Sequence, residues 1–258
     1  MSRLRAKCPD CRTFTAVALG PDYECHSCGR EFHAGLVRVP QAWGDGGEAM
    51  AEAAFLELPY PEAAVVEADT LEEQNLALAA DLPERPLVLG GDCCAHIGAI
   101  EGLTARQDRL AVVWLDAHGD LNTPKTSPSG NTWGMPLRMI LDSGAVDPSD
   151  VALVGARALD RPEEEYIAQS GLHTGDDAVV RALEDVAHVY VALDADVLEP
   201  SEASVFMPEP GGLSVHEVEE ILRMVGGEAS ILGAGFTGLS FEPSNVEPLT
   251  RFASALRL

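Results

Sequence analysis

The chain has 258 residues, of which 42 are acidic and 17 basic, so its formal net charge at pH 7 is −25. Such an acidic surface repels nucleic acid and anionic membranes, and the composition argues against both as partners. Hydrophobic residues make up 46% of the chain, which suffices for the core of one α/β domain with room for a small additional unit.

The chain begins with basic residues, but a Cys-Pro-Asp-Cys segment follows them where a signal peptide would continue with apolar residues. We therefore expect no signal peptide, no membrane span and a cytoplasmic location.

All six cysteines occur in close pairs, which is typical of thiolate ligands rather than of a disulfide framework. Cys8 and Cys11 form one pair, and Cys25 and Cys28 form another after 13 intervening residues. Four thiolates from two tight turns make a closed tetrahedral site that suits structural zinc. We therefore predict a zinc ribbon over residues 1–38, with folding energy mostly from the metal, on the order of 10 kcal/mol. Rubredoxin-type iron, which uses the same four ligands, is the competing occupant.

Residues 39–258 are predicted to form the second unit, which begins with a connecting segment rich in Pro and Gly over residues 39–60. The pattern predicts strands over 87–89, 110–115, 151–154, 188–193 and 230–232. It predicts helices over 62–81, 94–103, 136–141, 177–186 and 214–227. Strands that alternate with helices indicate a parallel sheet covered on both faces, and ligands of such folds gather beyond the carboxyl ends of the strands.

Two clusters of acidic residues follow two of these predicted strands. Asp116, His118 and Asp120 follow one strand, and Asp194 and Asp196 follow another. Carboxylates grouped at strand ends repel one another unless a cation lies between them, so the clusters predict a metal site. Aspartate is also frequent as a turn residue at strand ends, but five such side chains in two short clusters favour the metal site.

Four segments resemble, in order and spacing, the arginase/agmatinase (ureohydrolase) superfamily over about residues 85–245. They are Gly90-Gly91-Asp92, residues 116–120, Ser129-Gly130-Asn131 and residues 194–196. The resemblance implies a three-layer α/β/α sandwich with a parallel sheet, and a homo-oligomer. It also implies an enzyme that hydrolyses a linear C–N bond of a guanidino or amidino compound. In this family two divalent ions, most often manganese, hold a bridging hydroxide that attacks the guanidinium carbon.

The resemblance also implies which residues hold the two ions. Asp116 and Asp194 match the carboxylates that bridge both ions, while His118 and Asp196 match the remaining ligands of one of them. Asp120 matches a ligand of the other ion that also orients the hydroxide. Carboxylates with one imidazole suit manganese, and two divalent ions lower the pKa of a shared water.

The resemblance further implies how a substrate is held. Glu242 matches the glutamate that pairs with the substrate guanidinium, and Asp160 falls where arginases present an acid to the α-amino group. Amide and hydroxyl side chains fall where arginases hold the α-carboxylate: Asn122, Ser127, Ser129 and Asn131. Together these positions favour a small guanidino amino acid, similar to arginine, over a simple amine.

Two positions depart from the family pattern. Cys93 stands where the family usually has a histidine ligand of the second ion. A thiolate there favours zinc, iron, cobalt or nickel over manganese, and a cysteine that merely packs as a small apolar residue is an equal alternative. His96, three residues on, could offer a substitute imidazole. Trp133 stands where the family has a histidine proton shuttle, so the alternative function is a non-catalytic protein with an incomplete metal centre that binds an amino acid or a partner.

Overall fold

The computed structural model describes residues 5–6, 8, 10–11, 13, 15–19, 22–32 and 35–258. Its first part is an antiparallel sheet of four short strands in the order β1-β2-β3-β4. These strands are β1 (Arg5–Ala6), β2 (Ala16–Leu19), β3 (Asp22–Cys25) and β4 (Glu31–Phe32). Cys8 and Cys11 lie between β1 and β2, Cys25 is the last residue of β3, and Cys28 lies in the turn that follows it.

The remainder is built on a seven-stranded sheet in the order β6-β5-β7-β11-β10-β8-β9, in which every neighbouring pair is parallel. The strands are β5 (Leu36–Val39), β6 (Glu62–Val65), β7 (Leu87–Gly90), β8 (Ala111–Leu115), β9 (Val151–Val154), β10 (His188–Asp194) and β11 (Ser230–Thr237). Strands β7, β8 and β10 are rich in Val and Leu and are almost wholly buried, as expected for a parallel sheet covered on both sides.

Helices cover both faces of this sheet, which gives the predicted three-layer α/β/α sandwich. One face packs against α2 (Leu71–Asp81), α3 (Ala95–Thr104), α4 (Pro136–Ser143) and α5 (Arg161–Ser170). The other packs against α1 (Glu48–Ala53), α6 (Ala178–Ala182), α7 (Val215–Glu228) and α8 (Val246–Ala255). Successive strand residues alternate between the two cores, so Trp114 contacts the first and its neighbours Val113 and Leu115 contact the second. Among the described residues, no helix is both long and apolar enough to cross a bilayer.

The structure differs from the predicted elements in two places near the start of the large unit. The boundary predicted after residue 38 falls inside strand β5, which pairs with both β6 and β7, so the large unit already includes Leu36. The helix predicted over 62–81 is wrong in its first part, because Glu62–Val65 is the edge strand β6. Pairing with β5 and burial of Ala63 and Ala64 outweigh the helix propensity of alanine there.

Candidate metal centre

The two aspartate clusters meet because their strands are neighbours in the sheet. Strands β8 and β10 are parallel and pair Leu115 with Leu193, so the residues that follow both strands emerge side by side at the carboxyl edge. Strand β11 flanks β10 on the other side and pairs Thr237 with Asp194. The sheet therefore fixes where Asp116 and Asp194 lie, and the short loops after them supply the rest of the cluster.

One group of possible ligands consists of Asp116, His118 and Asp196, whose ligand atoms all lie within 4.8 Å of one another. His118 Nδ1 is 3.0 Å from Asp196 Oδ2 and 3.5 Å from Asp116 Oδ1. Backbone amides hold the carboxylates in place: His118 N donates to Asp116 Oδ1 at 2.7 Å, and Ala117 N donates to Asp196 Oδ1 at 3.0 Å. The loop is thus folded so that carboxylate oxygens of two aspartates and one ring nitrogen converge.

A second group consists of Cys93, Asp116 and Asp120, also within 4.8 Å of one another. The thiol of Cys93 donates to Asp194 Oδ2, with sulfur and oxygen 3.0 Å apart. Asp120 is buried, and its Oδ2 atom has no hydrogen-bond partner among the residues that the structure describes. Its φ of 52° lies in the left-handed region, which costs a non-glycine residue of order 1 kcal/mol and is typical of functional sites. A buried carboxylate oxygen without a donor is typical of a site that holds a cation or a water molecule.

The electrostatics of the cluster indicate the same. Burial raises the pKa of Asp194 to about 7 and that of Asp196 to about 6. Burial also raises the pKa of Asp116 and of Asp120, and repulsion from neighbouring carboxylates adds to this. Although burial opposes its charge, hydrogen bonds to Asp116 and Asp196 raise the pKa of His118 to about 12. Four neighbouring carboxylates with only one cationic side chain beside them repel one another, and a divalent ion between them would reduce this repulsion.

The cluster lies in a cavity of about 480 Å³. The cavity is lined by every predicted core ligand, namely Cys93, Asp116, His118, Asp120, Asp194 and Asp196. It is also lined by every predicted substrate-binding residue except Glu242, namely Asn122, Ser127, Ser129, Asn131 and Asp160. The cavity therefore joins the metal ligands to a polar loop.

The loop residues differ in whether their polar atoms are free for a ligand. The Asn122 amide donates to Asp160 Oδ2 at 2.9 Å and its oxygen accepts from Thr126 Oγ1 at 2.9 Å, so this amide is engaged within the protein. Asn131 accepts from the backbone N–H of Asp45 through Oδ1. Ser129 is exposed and Ser127 is half-buried, and their hydroxyl oxygens lie 3.4 Å apart. Ser127 Oγ accepts from the backbone N–H of Gly130 and Ser129 Oγ from that of Asn131, so each hydroxyl proton is left to donate to a ligand.

The structure does not bring Glu242 into this site. The side chain of Glu242 is exposed and is not among the residues that line the cavity. It follows the end of β11 at Thr237 by five residues and directly precedes a short 3₁₀ helix over Pro243–Asn245. Glu242, the predicted guanidinium anchor, is therefore not a residue of this cavity. His96, the possible substitute ligand, is buried behind the site and hydrogen-bonds Thr237 and Tyr190 instead.

Trp133 is buried and forms part of the cavity wall. Its ring meets Phe206 edge-on, with centroids 6.0 Å apart. It also packs against Gly44, where any side chain would collide with the indole. The position that the family resemblance assigns to a proton shuttle therefore holds a large apolar ring, which narrows the cavity.

Two charged residues that line the cavity, Glu163 and Arg157, were not predicted from the sequence as part of the site. Glu163 accepts from the backbone N–H groups of Leu121 and Asp160, each at 2.9 Å, and its carboxylate packs against Gly119, where a side chain would collide with it. Arg157 donates to several backbone carbonyls, including those of Asp196 and Glu209 at 2.7 Å each. Both residues hold ligand-bearing loops in place. Acidic residues three apart, at Asp160 and Glu163 before an apolar run, resemble a helix-start signature that could have indicated α5.

Comparison with known proteins places this site in context. The Arginase family matches residues 48–244. Arginase from Bacillus subtilis (strain 168) is 37% identical over 177 residues, which cover 58% of this chain and 60% of that protein. Arginase from Staphylococcus aureus (strain COL) is 31% identical over 185 residues, 61% of each chain. The match thus spans about three fifths of these curated relatives. The solved structure of arginase from Bacillus caldovelox superposes with a TM-score of 0.74 at 27% identity, covering 86% of this chain and 97% of that one.

Proposed function

The chain belongs to the Arginase family, and from this premise we propose that it is a ureohydrolase that cleaves a linear C–N bond in a guanidino or amidino amino acid. The observation that carries the proposal is the convergence of five acidic or imidazole ligands, Asp116, His118, Asp120, Asp194 and Asp196, at the floor of one cavity. A structural role alone does not account for so many buried carboxylates beside a cavity.

The residues present fit two divalent ions. Asp116, His118, Asp194 and Asp196 would hold one ion, and Cys93, Asp116, Asp120 and Asp194 the other. The unpartnered Oδ2 of Asp120 supports the second position. Carboxylate and imidazole ligands suit manganese at the first position, whereas the sulfur of Cys93 suits zinc, iron, cobalt or nickel at the second. When bound, the ions would lower the pKa of a shared water and polarise the substrate.

The remaining groups of the cavity position the reactants. Asp120 accepts a hydrogen bond or a proton at its unpartnered oxygen, which lies among the ligands. The hydroxyls of Ser127 and Ser129 offer donors for the carboxylate of an amino-acid substrate, and Asp160 offers an acid for its amino group. Glu163 and Asn122 hold Asp160 in place through its backbone and side chain. Trp133 excludes water from one wall.

We propose in addition that Cys8, Cys11, Cys25 and Cys28 hold one structural zinc ion. Their sulfur atoms lie within 4.8 Å of one another, with Cys11 and Cys25 3.4 Å apart and Cys8 and Cys28 3.6 Å apart. Zinc–sulfur bonds of ~2.3 Å in a tetrahedron separate the sulfurs by about 3.8 Å, so the four thiols are preorganised for the ion. This unit lies before residue 48, outside the family match.

The test of the enzymatic proposal is product release together with metal counting. Purified protein, reconstituted with manganese, zinc or cobalt, is offered arginine and a panel of guanidino and amidino amino acids, and urea or the corresponding product is measured. We expect turnover that Asp116→Asn abolishes, because this residue belongs to both ion positions. The matched control Asp177→Asn lies on the exposed surface, 69% accessible, and should keep full activity.

Elemental analysis separates the enzyme from the alternative. One zinc in the ribbon plus two ions in the core supports the enzyme. One zinc plus a single core ion, with no turnover of any compound in the panel, would instead support a non-catalytic protein that binds an amino acid or a partner. This alternative is motivated by the two positions that depart from the family pattern, Cys93 and Trp133, and by the additional ribbon.

A further inference from the structure

Cys93 has predicted metal ligands on one side. On its other side is a buried row of hydrogen-bonded polar side chains, the polar file, which consists of Thr237, His96 and Tyr190. Its sulfur is 3.0 Å from Asp194 Oδ2 and 3.8 Å from Asp116 Oδ2. On the side away from the cavity the sulfur is 3.1 Å from Thr237 Oγ1. Cys93 belongs to the same ligand group as Asp116 and Asp120, and Asp120 Oδ2 has no hydrogen-bond partner among the described residues, so the cysteine lies in a polar site and does not merely fill apolar space.

The polar file continues from Thr237 away from the cavity. Thr237 Oγ1 is 3.3 Å from His96 Nε2, and His96 Nδ1 is 3.1 Å from the hydroxyl of Tyr190. Thr237, His96 and Tyr190 are each 0% exposed and Cys93 is 3% exposed, so water does not reach this file. Trp114 meets the His96 ring edge-on and fixes its plane. Such a closed file of polar groups within an apolar core needs every hydrogen bond to be made.

Hydrogen-bond accounting gives the file one direction. Burial lowers the pKa of His96 to about 3, so the imidazole is neutral and carries a single N–H. Without an ion, the Cys93 thiol donates to Asp194 Oδ2. A thiolate that binds an ion can only accept hydrogen bonds, which then requires Thr237 to donate its hydroxyl to the sulfur of Cys93. Thr237 then accepts from His96 Nε2, and His96 Nδ1 accepts from Tyr190. Each member donates once toward the sulfur. Among the described residues, the carbonyl oxygen of Leu193 is a competing acceptor for the Thr237 hydroxyl, at the longer distance of 3.4 Å.

We propose that Tyr190, His96 and Thr237 form a one-way hydrogen-bond chain that holds Cys93 as a thiolate ligand of the second ion position, and that this position therefore selects a thiophilic divalent ion over manganese. The inference rests on the proposed metal centre and goes beyond it by assigning a positioning role to three residues outside the cavity. Hydrogen bonds donated to a ligand sulfur orient it and tune its affinity for metal, and their loss typically weakens binding 10–100-fold.

The test uses cobalt as the probe, because cobalt–thiolate bonds give a near-ultraviolet charge-transfer absorption that oxygen ligands do not give. The full chain is loaded with Co²⁺, and the absorption is compared between the wild type and Cys93→Ser. The ribbon cysteines contribute equally to both spectra, so the difference reports Cys93 alone. Cys94→Ser is the matched control, since Cys94 is equally buried beside Cys93 but belongs to no ligand group among the described residues.

We expect Cys93→Ser to lose absorption and Cys94→Ser to keep it. Thr237→Val removes the hydroxyl and should weaken Co²⁺ binding at least tenfold and shift the band, whereas Thr237→Ser restores both. In competition experiments, Cys93→His should lower the preference for Co²⁺ over Mn²⁺ at least tenfold; this variant also serves if Cys93→Ser does not fold.

Equal spectra for the wild type and Cys93→Ser, together with an unchanged Co²⁺/Mn²⁺ preference in Cys93→His, would overturn the thiolate ligand. Equal Co²⁺ affinities for Thr237→Val and Thr237→Ser would overturn the role of the chain. These readouts do not depend on turnover. A thiolate band in a protein that hydrolyses nothing therefore refutes the proposed reaction and leaves the ligand intact.

Discussion

Glu163 is the residue whose replacement tests how the site is held together. It is 3% exposed, and its two carboxylate oxygens each accept one backbone N–H at 2.9 Å, from Leu121 and from Asp160. The first bond anchors the residue that follows Asp120, and the second anchors the start of α5. In Glu163→Gln one oxygen becomes an NH₂ group that faces a backbone N–H, while size and shape are kept.

The magnitude follows from these two hydrogen bonds. The substitution loses one bond to a charged acceptor, worth about 1.5–3 kcal/mol, and weakens the other by removing the charge. It also leaves a buried N–H without an acceptor, and relaxation of the loop recovers part of that cost. We therefore expect Glu163→Gln to lower the free energy of unfolding by about 3 kcal/mol. For a chain of this size this corresponds to a melting temperature lower by about 6–12 °C.

The assay is thermal unfolding in the presence of a chelator, so that the measured loss belongs to the protein and not to bound metal. Glu164→Gln is the matched control, because its neighbouring side chain on the same helix is exposed and should shift the melting temperature by less than about 1 °C. A second measurement is Co²⁺ affinity, which should fall in Glu163→Gln as the loop of Asp120 loosens. Equal melting temperatures for the two variants would refute the view that Glu163 anchors this loop.

Two further predictions concern the scaffold. Hydrogen bonds from Arg251 lower the pKa of Glu219 to about 2, below its ordinary 4.5, so the stability it adds is present above pH 4.5 and is lost as pH falls through 2. Glu219→Gln should therefore lower the free energy of unfolding by about 1–2 kcal/mol at pH 7 and by little near pH 2. The control Glu220→Gln, at an exposed position, should change it little at either pH. The measurement is urea unfolding at both pH values, and a loss in Glu219→Gln that does not depend on pH would contradict this reasoning. Gly155 and Gly171 share nearly the same positive φ, 87° and 88°, but only a side chain at Gly155 would collide with a neighbour, Val197. Gly155→Ala should thus lower the free energy of unfolding by about 1–3 kcal/mol more than Gly171→Ala does. Equal losses of stability for the two variants in calorimetry would show that the collision with Val197 adds nothing to the backbone strain.

Much of the fold could be predicted from the sequence because buried parallel strands have short, continuous apolar segments. The segments that form β7, β8 and β10 are rich in Val and Leu, and they are too short for typical helices, so a strand is predicted for each. Strand β6 is not predicted from the sequence because its buried residues are two alanines, which favour a helix by propensity. They form a strand here because β5 pairs with them. Helix α5 is also not predicted from the sequence, because Asp160, which caps its start, is interpreted there as a substrate-binding acid.

The floor of the site could be predicted for the same reason. Asp116 and Asp194 are the residues at which two adjacent parallel strands end, and the register of the sheet brings such residues together whatever the loops do. Glu242 has no such constraint. It lies five residues beyond the end of β11, and the intervening turn can direct it anywhere, so a motif match at that distance does not determine its position.

The same distinction indicates which part of the cavity would set substrate preference. The predicted ligands at the strand ends are positioned by the sheet, whereas the residues around them are positioned by loops. The walls of the cavity come from loops, where Trp133 replaces the expected imidazole and Met50 and Met207 add further apolar surface. These three side chains line the same cavity as the predicted ligands, and Glu242 is not among the lining residues. Because differential contacts with the walls decide which substrate reaches the ions, changes at Trp133 should alter substrate preference more than metal content.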